Sequence, residues 1–235
     1  MRLLIFGTGV IGSLYASLFA EAGFDTTVYA RGARLETLKK KGLLYLKREK
    51  VTKANVSVLS ELKDNVLDAT FTPKIIQPTT FAEISGMRTD RVRRLSLIFK
   101  QSSIPYQIVK DMHIWQLCHL AMVVPIADAY YEADNPAKAG YEHKIMHKTA
   151  KALKRNLQFV KKTCGKLSPW KMNIFLFVPL PILTFIMSFV YRSIFGEKFM
   201  YQHSINAPDE MRELHKKFYE YMENVINITE AESML

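Results

Sequence analysis

Cysteine is scarce in this chain of 235 residues. The two that occur, Cys118 and Cys164, have no CxxC spacing and sit in apolar-periodic segments. That excludes a disulfide framework and a thiolate zinc site, and predicts reduced, packed thiols in a cytoplasmic protein. Acid is in short supply as well: 22 Asp and Glu face 33 Lys and Arg, for a net charge of +11. From His143 to Gly196 there is no Asp or Glu, while ten Lys or Arg occur. Such a block can attract nucleic acid, acidic lipid or an anionic substrate, although a solvated helix face is the simpler account. Aromatic–basic interleaving, zinc spacing and RNP-like motifs are all lacking, so no nucleic-acid partner is expected.

A long unbroken apolar run is also missing. Residues 173–190 carry no charge between Lys171 and Arg192, a length at the lower edge for a bilayer span. Pro179 and Pro181 break the middle, and Asn173, Thr184 and Ser188 lower the hydropathy. A buried or dimer-interface helical pair is expected there rather than a membrane anchor, with a homodimer through the helical region as the assembly. Hydrophobic residues nevertheless make up 49% of the chain, enough for one large or two modest cores.

The most informative feature present is Gly7-Thr8-Gly9-Val10-Ile11-Gly12. It follows the apolar run Leu3-Leu4-Ile5-Phe6 and opens an apolar-periodic stretch ending at Gly23. Strand, tight glycine turn and helix together form the dinucleotide fingerprint. Gly7 allows the turn, Gly9 lets backbone approach a pyrophosphate, and Gly12 permits close helix–strand packing. The helix N-terminus adds free N–H groups and partial positive charge. Arg2 and the apolar residues to Ala20 have the outline of a signal peptide, but three spaced glycines, Glu21 and a second strand argue against one.

Residues 25–30 read as that second strand. NAD-binding versions place a carboxylate at its end to accept the ribose hydroxyls. Here Tyr29-Ala30-Arg31-Gly32 fills the position, with Arg34 close by. A guanidinium there can be bidentate to a 2′-phosphate with no carboxylate to oppose it, so NADP is the expected cofactor. The alternative is an exposed loop arginine.

Further along, residues 34–41 predict a short basic helix closed by Gly42, and 43–46 and 56–59 short strands with Lys-rich turn material between them. Residues 66–73 and then a strand-like stretch at 74–82 follow, without the second βαβ run that a doubly wound domain requires. Helical periodicity then predicts α-helices over 90–100, 112–131 with Pro125 inside, 143–162 ending before Gly165, and a last one from about Asn206. The last carries a buried stripe of Met211, Leu214, Phe218, Tyr221 and Val225. The expected fold is an α/β Rossmann-type parallel sheet over 1–86, incomplete, followed by an all-α domain over 87–235.

The opening segment, with GTGVIGSLYASLFAEAG and VYARGARLETLKKKGL, resembles ketopantoate reductases. The resemblance resumes at Pro78-Thr-Thr-Phe-Ala-Glu-Ile-Ser-Gly86. It continues through Arg88-Thr-Asp-Arg-Val-Arg-Arg94, Ser103-Ile-Pro105 and Asp111-Met-His-Ile-Trp115. It implies NADPH-dependent reduction of a 2-oxo acid to the 2-hydroxy acid, with substrate in a cleft between the two domains. Two departures stand out. The family's middle strands have no counterpart near Asn65 and Val66. The family's catalytic lysine follows the tryptophan that opens the first long helix, and here that stretch reads Trp115-Gln-Leu-Cys-His-Leu-Ala, with no lysine. The family's two substrate-holding asparagines also fall on apolar residues.

Ketone reduction needs a proton donor beside the carbonyl as well as hydride. Gln116 can donate a hydrogen bond but no proton. His119, one helical turn beyond Trp115, titrates in the right range and can share its face, as a catalytic group or as a satisfied core residue. His113 and His203 are further candidates. No residue cluster predicts a metal. The competing reading is a catalytically silent nucleotide-binding or interaction protein derived from the same family.

Overall fold

The computed structural model describes residues 2–47, 50–59 and 78–232, with side chains through 226. Residues 66–73, the start of the strand-like stretch 74–82 and the join near Asn65 and Val66 lie outside the described residues. Two compact units result, Met1–Lys110 and Asp111–Leu235. The division falls after Lys110, so the helix that follows residue 86 packs with the N-terminal unit.

In that unit the apolar run of β1 (Arg2–Phe6) leads through the glycine turn into α1 (Val10–Glu21) and then β2 (Asp25–Tyr29). α2 (Gly32–Lys41), β3 (Leu43–Lys47), β4 (Lys50–Ala54) and β5 (Ser57–Leu59) follow. Strands β1, β2 and β5 form one parallel sheet in the order β1-β2-β5, with Phe6 opposite Tyr29 and Tyr29 opposite Leu59. That order is one half of a doubly wound sheet. Among the described residues nothing pairs with the outer edge of β1. Its Phe6 is 74% exposed although the strand is apolar enough for a central place.

One expectation is corrected here. The Lys-rich stretch after residue 46 is not only turn, because β4 pairs antiparallel with β3 from Leu43–Ala54 to Lys47–Lys50. The hairpin forms because Leu43, Tyr45 and Ala54 all face the core with Ala16, Val28 and Leu38, leaving the lysines outside.

β6 (Thr79–Phe81), α3 (Asp90–Gln101) and β7 (Tyr106–Ile108) make a second parallel pair joined by a helix. Phe19, Ile98, Phe99 and Ile104 form their shared core, with Phe81 stacked on Tyr106 at 5.8 Å. The Tyr15 hydroxyl meets the Thr79 hydroxyl, tying α1 to β6. The start of α3 is fixed by Glu83. Its carboxylate accepts from Thr89 Oγ1 at 2.6 Å, from Ile84 N at 3.2 Å and from the Arg91 guanidinium. Hydrogen bonds from Arg91 and then Thr89 hold the Glu83 carboxyl down at a pKa of about 2.

The second unit is helical: α4 (Met112–Glu132), α5 (His143–Cys164), α6 (Asn173–Phe177), α7 (Leu180–Tyr191), α8 (Gln202–Asn206) and α9 (Pro208–Glu232). Asp111 caps α4, accepting from Ile114 N at 3.0 Å. Pro125 sits inside α4. The core runs through Ala121 and Val124 of α4, Met146, Leu153 and Leu157 of α5, Leu183 of α7 and Phe218 of α9. The buried Asn156 is satisfied by Arg155, which donates to its Oδ1, and by the Tyr219 hydroxyl, to which its Nδ2 donates. α6 and α7 confirm a helical pair over the charge-free stretch, turned by 117° at the Val178–Pro179 break. They are not wholly buried, since α7 turns one apolar face to the core and leaves the other open. No single helix among the described residues is long and apolar enough to cross a membrane.

Candidate functional site

The turn after β1 meets a separate condition at each glycine. Gly7 has φ +84°, a conformation that a side chain resists, and its N–H donates to Tyr29 O at 3.3 Å. A Cβ on Gly12 would lie 1.9 Å from the Gly7 carbonyl oxygen and 3.4 Å from Ile5 Cγ2, so only glycine lets α1 sit this close to β1. Above Gly9 there is open space: a Cβ there would meet nothing within 4 Å. Gly9 caps α1, and its carbonyl accepts from Ser13 N, so the N–H groups of Val10, Ile11 and Gly12 have no helical acceptor. An anion over Gly9 would find those donors and the positive end of the helix.

The turn is braced from a residue whose role was not legible in the sequence. Arg34 Nε donates to Thr8 O and its Nη2 to Ser13 Oγ, each at 3.1 Å, while Ser13 Oγ donates to Thr8 O at 3.0 Å. Arg34 therefore holds the backbone of the turn. Thr8 and Ser13 are buried by this contact, whereas Val10 and Ile11 stand 61% and 68% exposed at the mouth of the turn. Arg31 differs from Arg34. It caps α2 with extended backbone at the end of β2, is exposed, and has no side-chain partner among the described residues. The Gly7–Tyr29 hydrogen bond brings the end of β2 against the glycine turn, and Asp25, the only acid of β2, lies at its far end.

In the helical unit, His119 stacks on Trp115 with ring centroids 5.2 Å apart and planes 9° from parallel, one turn apart on α4. Burial pushes the His119 pKa down. Gln116 is exposed and has no side-chain partner among the described residues. The next positions, Leu117 and Cys118, are buried core, so no cation replaces the expected lysine. His113 is exposed with Tyr221 Oη at 3.4 Å from its Nε2, and His203 is exposed on α8. No group of three metal-ligating side chains occurs among the described residues.

A different cluster occupies a cleft of about 770 Å3 in this unit, lined from α4, α5 and α9 by Asp128, Glu132, Lys148, Arg155, His215 and Tyr219 among others. Neither His119 nor Gln116 lines it. His215 Nδ1 lies 2.9 Å from both Asp128 oxygens, and Lys148 Nζ donates to Glu132 at 2.6 Å. Burial raises the Asp128 pKa against the lowering influence of His215. A carboxylate-held imidazole of this kind has the geometry for proton transfer. Sequence reasoning missed the pair. The only available signal was a lone Asp within an otherwise apolar stretch of α4.

Residues 3–72 match the family model described as ketopantoate reductase PanE/ApbA. Through this segment the chain resembles the ketopantoate reductase family. The 2-dehydropantoate 2-reductase of Pyrococcus horikoshii is 37% identical over 70 residues, which are 28% of this chain and 23% of that protein. The matched stretch is thus less than a quarter of that relative. Solved ketopantoate reductase folds extend the likeness over both units. The 2-dehydropantoate 2-reductase of Porphyromonas gingivalis W83 superposes with a TM-score of 0.53 at 14% identity, covering 94% of this chain and 99% of that one. That of Methylococcus capsulatus gives 0.52 at 14% identity, covering 99% and 97%. At such identity these structures establish the fold: a parallel sheet with helices, then a mostly helical region.

Proposed function

We propose that this oxidoreductase-family chain binds NADPH and reduces a small 2-oxo acid to its 2-hydroxy acid. The observation that carries the cofactor is the glycine turn itself, with open space over Gly9, closed packing at Gly12 and an exposed Arg31 at the end of β2. Gly7, Thr8, Gly9, Val10, Ile11 and Gly12 present backbone to the pyrophosphate, and Arg31 forks onto the 2′-phosphate. The bound cofactor supplies hydride. The chain supplies the proton from His119, whose imidazole the Trp115 ring holds in one plane, while Gln116 at the α4 surface donates a hydrogen bond to substrate oxygen. His215, held by Asp128, is the second candidate donor.

The test is a fluorescence titration with NADPH and NADH followed by turnover on a panel of 2-oxo acids that includes 2-dehydropantoate. Tighter NADPH binding, lost in Arg31→Ala, with turnover that fails in His119→Gln or His215→Gln, supports the reading. One observation favours a second reading, a silent nucleotide-binding protein: Trp115 is followed by exposed Gln116 and buried Leu117 and Cys118, with no lysine. NADPH binding without turnover on any oxo acid would establish it.

A further inference from the structure

α7 carries no charged residue on any face, a pattern that belongs to helices surrounded by apolar material. Only half of it has such surroundings. Leu183, Thr184, Met187 and Tyr191 are buried, and α7 packs on α5. The opposite face repeats at helical spacing as Ile182, Phe185, Ile186 and Phe189, with Phe185 67% and Phe189 64% exposed. α6, turned through 117°, adds Phe177 at 78%, and Trp170 just before it is 69% exposed. Soluble monomers rarely leave apolar surface of this kind uncovered.

Charge decides what covers it. Lys161 Nζ lies 5.9 Å over the Phe177 ring, and Lys154 Nζ donates to Val178 O at 2.6 Å in the bend between the helices. Lys171 follows Trp170, and Arg192 follows α7 with its guanidinium 5.3 Å over the Tyr141 ring. No Asp or Glu occurs between Glu142 and Glu197 to oppose them. A two-fold dimer through this face would set like charges against one another with no carboxylate from the same stretch to pair them. An anionic bilayer surface offers the opposite charge. The bend and the length of α7 also rule out a straight span by either helix, whereas an apolar face with a basic border suits a position in the plane of the interface.

We propose that α6 and α7 seat the helical unit on an anionic lipid surface. Phe177, Ile182, Phe185, Ile186 and Phe189 enter the boundary between headgroups and acyl chains, and Trp170 lies at headgroup level. Lys161, Lys171 and Arg192 reach the phosphates. This placement is independent of the reaction proposed above.

The test is co-sedimentation of the full chain with phosphatidylcholine vesicles, with and without phosphatidylserine, alongside analytical ultracentrifugation of the chain alone. The expected result is a monomer that sediments with phosphatidylserine vesicles and is released by salt. Phe185→Ser with Phe189→Ser should abolish sedimentation while leaving the circular dichroism unchanged, because both rings are outside the core. Lys161→Gln and Lys171→Gln should each weaken binding about fivefold, and they keep the test decisive if the serine variant does not fold. Failure to sediment, equal binding to neutral vesicles, or a concentration-dependent dimer dispersed by the serine variant would each overturn the proposal.

Discussion

Replacing Gly12 by Ala adds one methyl group to the most crowded point of the nucleotide turn. That carbon would stand 1.9 Å from the Gly7 carbonyl oxygen and 3.1 Å from its carbonyl carbon. The obstacle is backbone and cannot rotate aside, so α1 or the turn must retreat by more than about 1 Å to reach a tolerable contact. Overpacking of this sort costs about 1–3 kcal/mol, and the rigid obstacle puts this case at the upper end. Alanine returns about 1 kcal/mol through its better helix propensity. A net loss of about 2 kcal/mol remains, which for a unit of this size lowers its melting midpoint by about 8–16 °C. Because the part that yields includes Gly7 and the Arg34–Thr8 brace, the phosphate cradle moves with it. NADPH affinity should fall together with stability. Gly9→Ala is the control, since its Cβ meets nothing and its backbone is extended at φ −67° and ψ −170°. That variant should melt within about 1 kcal/mol of the parent yet bind NADPH far more weakly, because the methyl occupies the space proposed for pyrophosphate. Differential scanning fluorimetry with and without NADPH reads both quantities. A Gly12→Ala chain that melts like the parent, or a Gly9→Ala chain that binds NADPH like the parent, would refute the reasoning.

Arg31→Ala should weaken NADPH about 10- to 100-fold, the loss of charge-assisted hydrogen bonds, while leaving NADH unchanged by the same titration. Arg31→Lys should restore only part of the difference, because an ammonium cannot fork. If His119 is the proton donor, kcat should decline as pH rises through a pKa below the ordinary imidazole value of about 6.5, since burial lowers it and only the protonated ring donates. A pH profile flat through that range would remove His119 from the role. Glu83 has its folded pKa depressed to about 2, so its contribution to stability is fully present above the unfolded carboxyl value and is lost as pH falls toward 2. Glu83→Gln should therefore flatten the acid limb of denaturant midpoints measured from pH 5 downward. Phe218→Ala, which empties a fully buried site of the helical core, should cost about 3–5 kcal/mol in chemical denaturation.

Much of the N-terminal unit was legible because its determinants are local. The turn at Gly7, the close approach at Gly12 and the strand–helix–strand alternation lie within thirty residues of each other. β4 was read as turn because its lysines dominate the composition. Only the pairing with β3 shows that Ala54 and Tyr45 face the core together. In the helical unit, α5 and α9 follow their apolar periodicity closely, and His119 meets Trp115 because residues four apart share a helix face. The Asp128–His215 pair could not be anticipated in this way, since its members stand 87 residues apart on different helices.

By itself, the sequence determined the glycine turn, the absence of a carboxylate and the presence of Arg31 at the end of β2, and the lack of a lysine after Trp115. Each depends on residue type at a fixed spacing, and backbone geometry over a few residues turns such spacing into position. Tertiary structure alone decided that Arg34 braces the turn while Arg31 stays exposed. It also placed His215 against Asp128 in the cleft and left one face of α7 uncovered. An all-apolar helix announces that it avoids water, but its pattern does not say how much of its surface the rest of the fold will reach. Only packing against α5, with its lysines placed at the border, fixes that.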